Sequence, residues 1–456
     1  MARSFCAWKL KKGADEWEVA EQVRISPAPK QGGWAGTQLR FLSISRGQSV
    51  LTDVERGSLA IAGRRAGLPA MQRMWFHRQG HSLGYNKPRG ESHPIQVFFF
   101  DAQTRLWCHQ RLPAAAIEAS AGADTWFIAC RNGRVYAFSL EGAPLWSELI
   151  PHPRRDNSTN EFWGLPVFHP RLRLAAEDRM LAIGAEQHLH RYQTSGHRLW
   201  TEALPLAEVA GDERFSADVS ADVPTRAERL ATLGLTQEAQ REQVQTGYLR
   251  FRRDTLLNAG WLKQLQISDF ESTSQAEGNS GEATIQAVID LAFQPGISVL
   301  RASLDSVVAG TQDGFVHVFD RDGSLKQTFQ VGRTVITDLL VDAAGPRAAC
   351  CAGRLTLFDG SRISGTAEMT EYYAKLEACG MGVLAWKANE VWLVQPSGRV
   401  QLVAEAERAI RGCWGHANGF YVLAGDLASF RIRSQPAPGR ASYILPTQQS
   451  EADPQR

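Results

Sequence analysis

His188 and His190 form a His-x-His pair. On an extended strand both imidazoles fall on one face, where they can supply two ligands to a zinc-type centre. No third ligand is assignable from the spacing, so a packed or surface pair is expected and no metal is assigned. Cys350 and Cys351 are adjacent. Strand neighbours point to opposite faces, so two separate thiols are expected here rather than a vicinal disulfide. The seven cysteines (Cys6, Cys108, Cys130, Cys350, Cys351, Cys379 and Cys413) are odd in number and contain no Cys-x-x-Cys. That spacing excludes a zinc knuckle and a disulfide framework.

Positive charge gathers in three places. His77, His81 and His93 lie with Arg78, Lys87 and Arg89 in the stretch Arg73–Pro94, read as a long basic loop of binding-surface character. Pro151–Pro170 holds Arg154, Arg155 and Trp163, the residue types enriched at interfaces. Arg250, Arg252 and Arg253 cluster further on, with Glu242 and Asp254 nearby. Arg154, Arg155, Trp163, Arg250, Arg252 and Arg253 are the candidate partner-binding residues.

No constellation for catalysis accompanies them. The chain has no phosphate-binding Gly-x-x-x-x-Gly-Lys-Ser/Thr loop, no His-Glu-x-x-His, no Gly-x-Ser-x-Gly and no EF-hand loop. Lys plus Arg is 50 against 48 Asp plus Glu, a net charge of +2 over 456 residues. There is no global field to draw the chain to nucleic acid or to an anionic membrane. No window approaches the ~20 apolar residues of a membrane-spanning helix, and no signal-peptide core follows the N-terminus, so the expected compartment is the cytosol. A cofactor is not expected.

The elements that must position these residues are short strands. In WFIACRNGRVYAFSLEGAPLW, Trp126–Trp146, two apolar strands flank an Asn-Gly turn, and a Gly turn and a Trp follow. MLAIGAEQHLHRYQTSGHRLW (Met180–Trp200) and SVVAGTQDGFVHVFDRDGSLKQ (Ser306–Gln327) repeat the design. Phe138, Tyr192 and Phe319 are each followed four residues later by Gly142, Gly196 and Gly323. AACCAGRLTLFDG is a shortened copy, and weaker copies lie at Ser49–Ile61, Gln96–Trp107, Glu390–Val403 and Gly419–Arg433. Trp107 to Trp146 and Phe319 to Phe358 are both separated by 39 residues. Four short strands per ~40 residues is the spacing of propeller blades, which bury their faces only by stacking on one another.

RNGRVYAFSLEGAPLW resembles the pyrroloquinoline-quinone-type propeller repeat, and GTQDGFVHVFDRDG resembles a WD-repeat blade. The resemblance implies an all-β fold, a single propeller of about seven blades. It does not extend to the quinoprotein dehydrogenases, whose calcium-ligand carboxylates and catalytic Asp have no matching positions. Propellers of this look also occur in bacterial ternary systems, beside a MoxR-type AAA ATPase and a von Willebrand A-domain protein. The resemblance therefore points to either as a protein partner.

Between Pro205 and Gly281 the strand pattern gives way to a helical one. Thr225 and Thr236 are candidate N-caps, and Val244, Tyr248, Phe251 and Leu256 form an apolar stripe. The expected organisation is propeller over 1–204, helical insertion and linker over 205–283, propeller over 284–446 and a polar tail over 447–456. The ring is expected to close between the hairpin Ser4–Leu10/Trp17–Ile25 and a strand at Ala441–Leu445. The expected function is a non-catalytic interaction scaffold. The alternative is an enzyme or a small-molecule or metal binder using the central channel.

Overall fold

Alternating apolar residues separated by two- to four-residue turns leave this chain one economical solution, four-strand antiparallel meanders. The computed structural model describes residues 5–12, 17–55, 58–86, 95–130, 132–150, 172–185, 187–205, 296–432 and 443–444, with short interruptions at 313, 333–334, 352–353, 361, 369–373, 388, 397–398, 407–409, 418 and 426–429. The described strands form eight sheets, each with a four-stranded meander at its heart. We number the blades along the chain and letter their strands A to D from the innermost outward. Blades 1 to 7 span residues 29–68, 73–112, 116–149, 172–203, 297–330, 336–368 and 375–406. Blade 8 takes Gly412–His416 and Gly419–Gly425 as A and B, and Phe5–Lys12 and Trp17–Ile25 as C and D. Each A strand packs beside those of its neighbours, blade 8 beside blade 1 included, so the ring is closed.

The core is a set of apolar layers between blades. Leu39, Phe41 and Val54 of blade 1 meet Trp414, Tyr421 and Leu423 of blade 8. Cys350 lies in the layer between blades 6 and 7, and Cys351 in the layer between blades 5 and 6. Both are buried free thiols on opposite faces of one strand, as strand geometry demands.

The repeated Gly and Trp are the ties between blades. Trp146 of blade 3 lies over Gly196 of blade 4 and donates its indole N–H to Thr194 O at 2.8 Å. Trp200 of blade 4 repeats this on blade 5, over Gly323 with a 3.1 Å bond to Arg321 O. A Cβ on Gly323 would lie 2.9 Å from the Trp200 ring. In blade 2 the equivalent position is Cys108, whose thiol donates to Glu141 O at 3.1 Å. A different device joins blades 1 and 2. Arg40, with no exposed surface, donates to both carboxylate oxygens of Asp53 at 2.7 and 3.1 Å and to Gly80 O, Ser82 Oγ and Ala102 O at 2.7 to 2.8 Å.

Four expectations are corrected. The ring has eight blades rather than about seven, because the stretch from Arg73 is not a long loop. Arg73–Phe76 and Ser82–Asn86 are strands A and B of blade 2. The A strand is only four residues and polar at its edge, too short to register as an alternating run. Closure uses Gly419–Gly425 paired with Phe5–Lys12, not the C-terminal strand. Tyr443–Ile444 instead adds a fifth strand to blade 6. Gly419–Arg433 is no hairpin, since Phe430–Ile432 pairs with the outer strand of blade 7.

Candidate functional site

In each meander strands A and C run the same way, so the A–B and C–D turns emerge on one face of the ring. On that face the A–B turns of blades 2, 3 and 4 are laced together. The His77 ring donates through Nε2 to Gly122 O at 2.7 Å and accepts the Gln79 N–H on Nδ1 at 3.1 Å, which fixes its tautomer. Ala123 N–H donates to Asp178 O at 2.7 Å. Asp178 sits at φ 52°, a conformation that Asp and Asn tolerate better than most residues. Arg78 reaches across the blade 3 turn to Asp178 Oδ1 at 2.7 Å and lies 3.6 Å from Glu177 Oε1.

These groups enclose a half-open cavity of about 350 Å³. Trp75, Phe76 and Trp126 supply aromatic wall, Ala119 to Gly122 supply a wall of small residues, and Arg78, Glu177 and Asp178 line the rest with His77. Burial holds the His77 imidazole below its usual range, against the bond to Gly122 that favours its charged form. The ring is therefore neutral near pH 7.

Exposed apolar side chains recur around the perimeter of the same face. Ile61, Leu106 and Leu325 open the D strands of blades 1, 2 and 5, and Ile363 is the second residue of the D strand of blade 6; each pairs with one of the last residues of strand C. Trp107, Leu145 and Leu199 are the bulged residues just beyond that position in blades 2, 3 and 4. All seven are exposed, Leu145 at 52% and Trp107 at 43%. Trp107 lies 5.1 Å from the ring of His81 in the A–B turn, which ties the apolar perimeter to the cavity side of blade 2.

The channel carries a second cluster. The A strands of blades 3 to 7 bring Glu118, Arg173, Arg301, Asp338 and Glu377 to the lumen, one from each blade. Arg301 binds Asp338 at 2.6 Å, and Arg173 lies 3.5 Å from Glu118. Asp338 Oδ2 also accepts the Leu376 N–H at 3.0 Å. Burial raises the Glu118 carboxyl, against the pull of Arg173 and Arg301. Burial, with the Asp338 carboxylate beside it, pushes Glu377 up to about 7.

No protein-family model matches the chain, and no curated protein matches it in sequence. Solved structures do. BamB from Moraxella catarrhalis matches with a TM-score of 0.51 at 12% identity, over 87% of this chain and 96% of that one. The chain is a β-propeller. Sqt1 of Saccharomyces cerevisiae (TM-score 0.48, 10% identity) and the computationally designed Ika8 protein (TM-score 0.48, 9% identity) each match over 88% of this chain and 96% of theirs. At these identities the likeness is one of fold.

Within the propeller, His188 and His190 share a face with rings 6.4 Å apart. His190 is buried and its Nδ1 lies 2.9 Å from Thr201 Oγ1. His317 makes the same contact with Thr328 at 3.0 Å in blade 5. A contact repeated in neighbouring blades is a strand C to strand D tie. Among the described residues no group of three His, Cys, Asp or Glu is placed to hold a metal ion. Lys87, Arg89, His93, Arg154, Arg155, Trp163, Arg250, Arg252 and Arg253, and the segment from 206 on where a helical insertion is expected, lie outside the described residues. His77, His81 and Arg78 were legible as surface chemistry, but Glu177 and Asp178 were not. They follow a plain apolar strand 100 residues from Arg78, and only ring geometry joins them.

Proposed function

We propose that this propeller is a non-catalytic protein–protein interaction scaffold of the cytosol. Its docking surface is the face that carries the A–B and C–D turns of blades 2 to 5. The observation that carries this reading is the recurrence of exposed apolar side chains at the head of strand D in successive blades, beside the His77–Asp178 cavity. Single exposed apolar residues are ordinary on monomers, while the same rim position exposed and apolar in blade after blade favours an interaction surface. A AAA ATPase or a von Willebrand A-domain protein is the partner class that the repeat's resemblance favours.

The test is affinity capture from the native host with three baits: the full chain, a Trp107→Ser/Leu145→Ser variant, and a chain whose residues 212–282 are replaced by a short Gly/Ser linker. The expected result is one stoichiometric partner on the first and third baits and its loss on the second, with unchanged circular dichroism. Retention by the second bait and loss by the third would move the site to the insertion.

A ligand of the channel is the second reading. It is favoured by carboxylates from three blades whose charges act on Arg301. Native mass spectrometry of protein purified from its host separates the two. A co-purifying small molecule that disappears in an Arg301→Met variant would support the channel.

A further inference from the structure

Arg78 is an unusual lining residue for its cavity. It is the only cation among the described residues that line it, its side chain is more than half exposed, and it lies across the opening against two carboxylates. The geometry points to a socket for a basic side chain, lysine or arginine, of the docked partner, in which Arg78 is this chain's own stand-in. The inference rests on the docking face proposed above and names the chemistry of its anchor.

The turn holds the backbone of Asp178, while the Glu177 and Asp178 side chains are 40% and 49% accessible. Asp178 is held by its turn: its backbone oxygen takes the Ala123 N–H at 2.7 Å and its φ is 52°. Glu177 ends the A strand of blade 4. Arg78 is a long side chain on an exposed turn, with 55% of its side chain accessible. Exposed ion pairs of this kind contribute little, so the guanidinium can swing out at small expense. The cavity then presents two carboxylates and no positive charge, because His77 is neutral and both its ring nitrogens are engaged within the turns. The half-buried Phe76 ring suits the aliphatic stem of a basic residue, and the Trp75 ring beside it already has the Arg73 guanidinium 5.6 Å from its centroid. A volume of about 350 Å³ is near the lower end for ligand pockets, which fits one side chain better than a cofactor. An acidic anchor would meet Glu177 and Asp178 directly and be repelled.

The bland account of the same contacts is a strap that merely joins blades 2 and 4. The two accounts predict opposite effects of removing Arg78. The probes are N-acetyl-arginine amide and N-acetyl-lysine amide, with N-acetyl-glutamine amide as the uncharged control, titrated into the full chain by heteronuclear NMR. Arg78→Ala is expected to tighten binding of the two basic probes roughly two- to fivefold, the worth of the exposed pair it removes. Asp178→Asn keeps a residue suited to the turn and is expected to weaken them about tenfold. The glutamine probe is expected to bind neither variant measurably. Thermal melting confirms that each variant stays folded. Equal binding to the wild type and Asp178→Asn, no binding to Arg78→Ala, or equal binding of the glutamine probe would each overturn the socket. The docking face is judged separately. If Trp107→Ser/Leu145→Ser loses the partner and Asp178→Asn keeps it, the face stands and the socket falls. If the basic probes bind as expected, Asp178→Asn loses the partner and Trp107→Ser/Leu145→Ser keeps it, the socket stands and the apolar docking face falls.

Discussion

Asp53→Ala should cost this propeller about 3–5 kcal/mol. Arg40 has no solvent exposure and Asp53 is 7% exposed. Two of the five short bonds to the Arg40 guanidinium, at 2.7 and 3.1 Å, come from that one carboxylate. The other three acceptors, Gly80 O, Ser82 Oγ and Ala102 O, are neutral and belong to blade 2. Removing Asp53 therefore leaves a positive charge between two blades with nothing to balance it, which is the costly way to break a buried pair. Arg40→Met/Asp53→Leu removes both charges at similar volume and should recover at least half of the loss. It leaves only the three neutral acceptors short of a donor, at about 1 kcal/mol each. The assay is urea denaturation at pH 7, followed by tryptophan fluorescence and far-UV circular dichroism together. The single and double variants are each compared with wild type. Raising salt to 1 M should leave the Asp53→Ala deficit almost unchanged, because a buried pair is screened far less than an exposed one. A deficit below about 1 kcal/mol, or one that salt erases, would mean that water reaches the guanidinium and that the seam between blades 1 and 2 is open.

Gly323→Ala should destabilise by about 1–3 kcal/mol, since Gly323 has φ 97° and the new Cβ would sit 2.9 Å from Trp200; thermal melting measures it, and a neutral effect would show that the indole is free to shift. Glu377 is raised from 4.5 to about 7, so its contribution is greatest below about pH 4.5 and is lost as pH rises to about 7, by roughly 3 kcal/mol at most. Urea midpoints at pH 5 and pH 8 should accordingly differ less in Glu377→Gln than in wild type, and equal differences would refute a buried, proton-holding carboxyl. Cys130, Cys350 and Cys413 are buried and their thiols are pushed up by burial, Cys130 to about 12. Among the described cysteines, the half-buried Cys108 should be alkylated first by iodoacetamide under native conditions, as peptide mass mapping would show.

The blades with the fullest repeat were the most legible in the sequence. Phe138–Gly142–Trp146 and Tyr192–Gly196–Trp200 announce blades 3 and 4 because each residue has a separate duty: core, turn and inter-blade tie. Where the tie changes chemistry the signal fades. Blade 2 substitutes Cys108 for the Trp, and blade 1 is joined through Arg40, which in a linear sequence is one more arginine. Outer strands also hide, as in Ile61–Leu68, where most residues are exposed and no alternation survives. The cavity was half legible. His77 and Arg78 stood out as basic residues near Gly80, while Glu177 and Asp178 become partners of Arg78 only when blades 2 and 4 are brought within reach. In the His-x-His pair, His190 is bonded to Thr201 across strands C and D, a contact that the spacing alone does not announce.

Blade 8 is shared between the two ends of the described chain, residues 5–25 and 412–425. Joining ends some 400 residues apart costs only about 2 kcal/mol more than joining ends 40 apart, because the entropy of closure grows with the logarithm of length. Equilibrium therefore tolerates the arrangement easily, but assembly on the ribosome does not share that ease. Until residue 425 is made, Leu39 and Phe41 on one flank and Leu393 and Val403 on the other lack the partners that cover them in the ring. Those two flanks are the complementary surfaces of an open arc. An arc can satisfy itself by closing or by taking the flank of another copy, and the second choice never terminates. Truncation ahead of Gly412 should thus yield head-to-tail polymers rather than a smaller propeller.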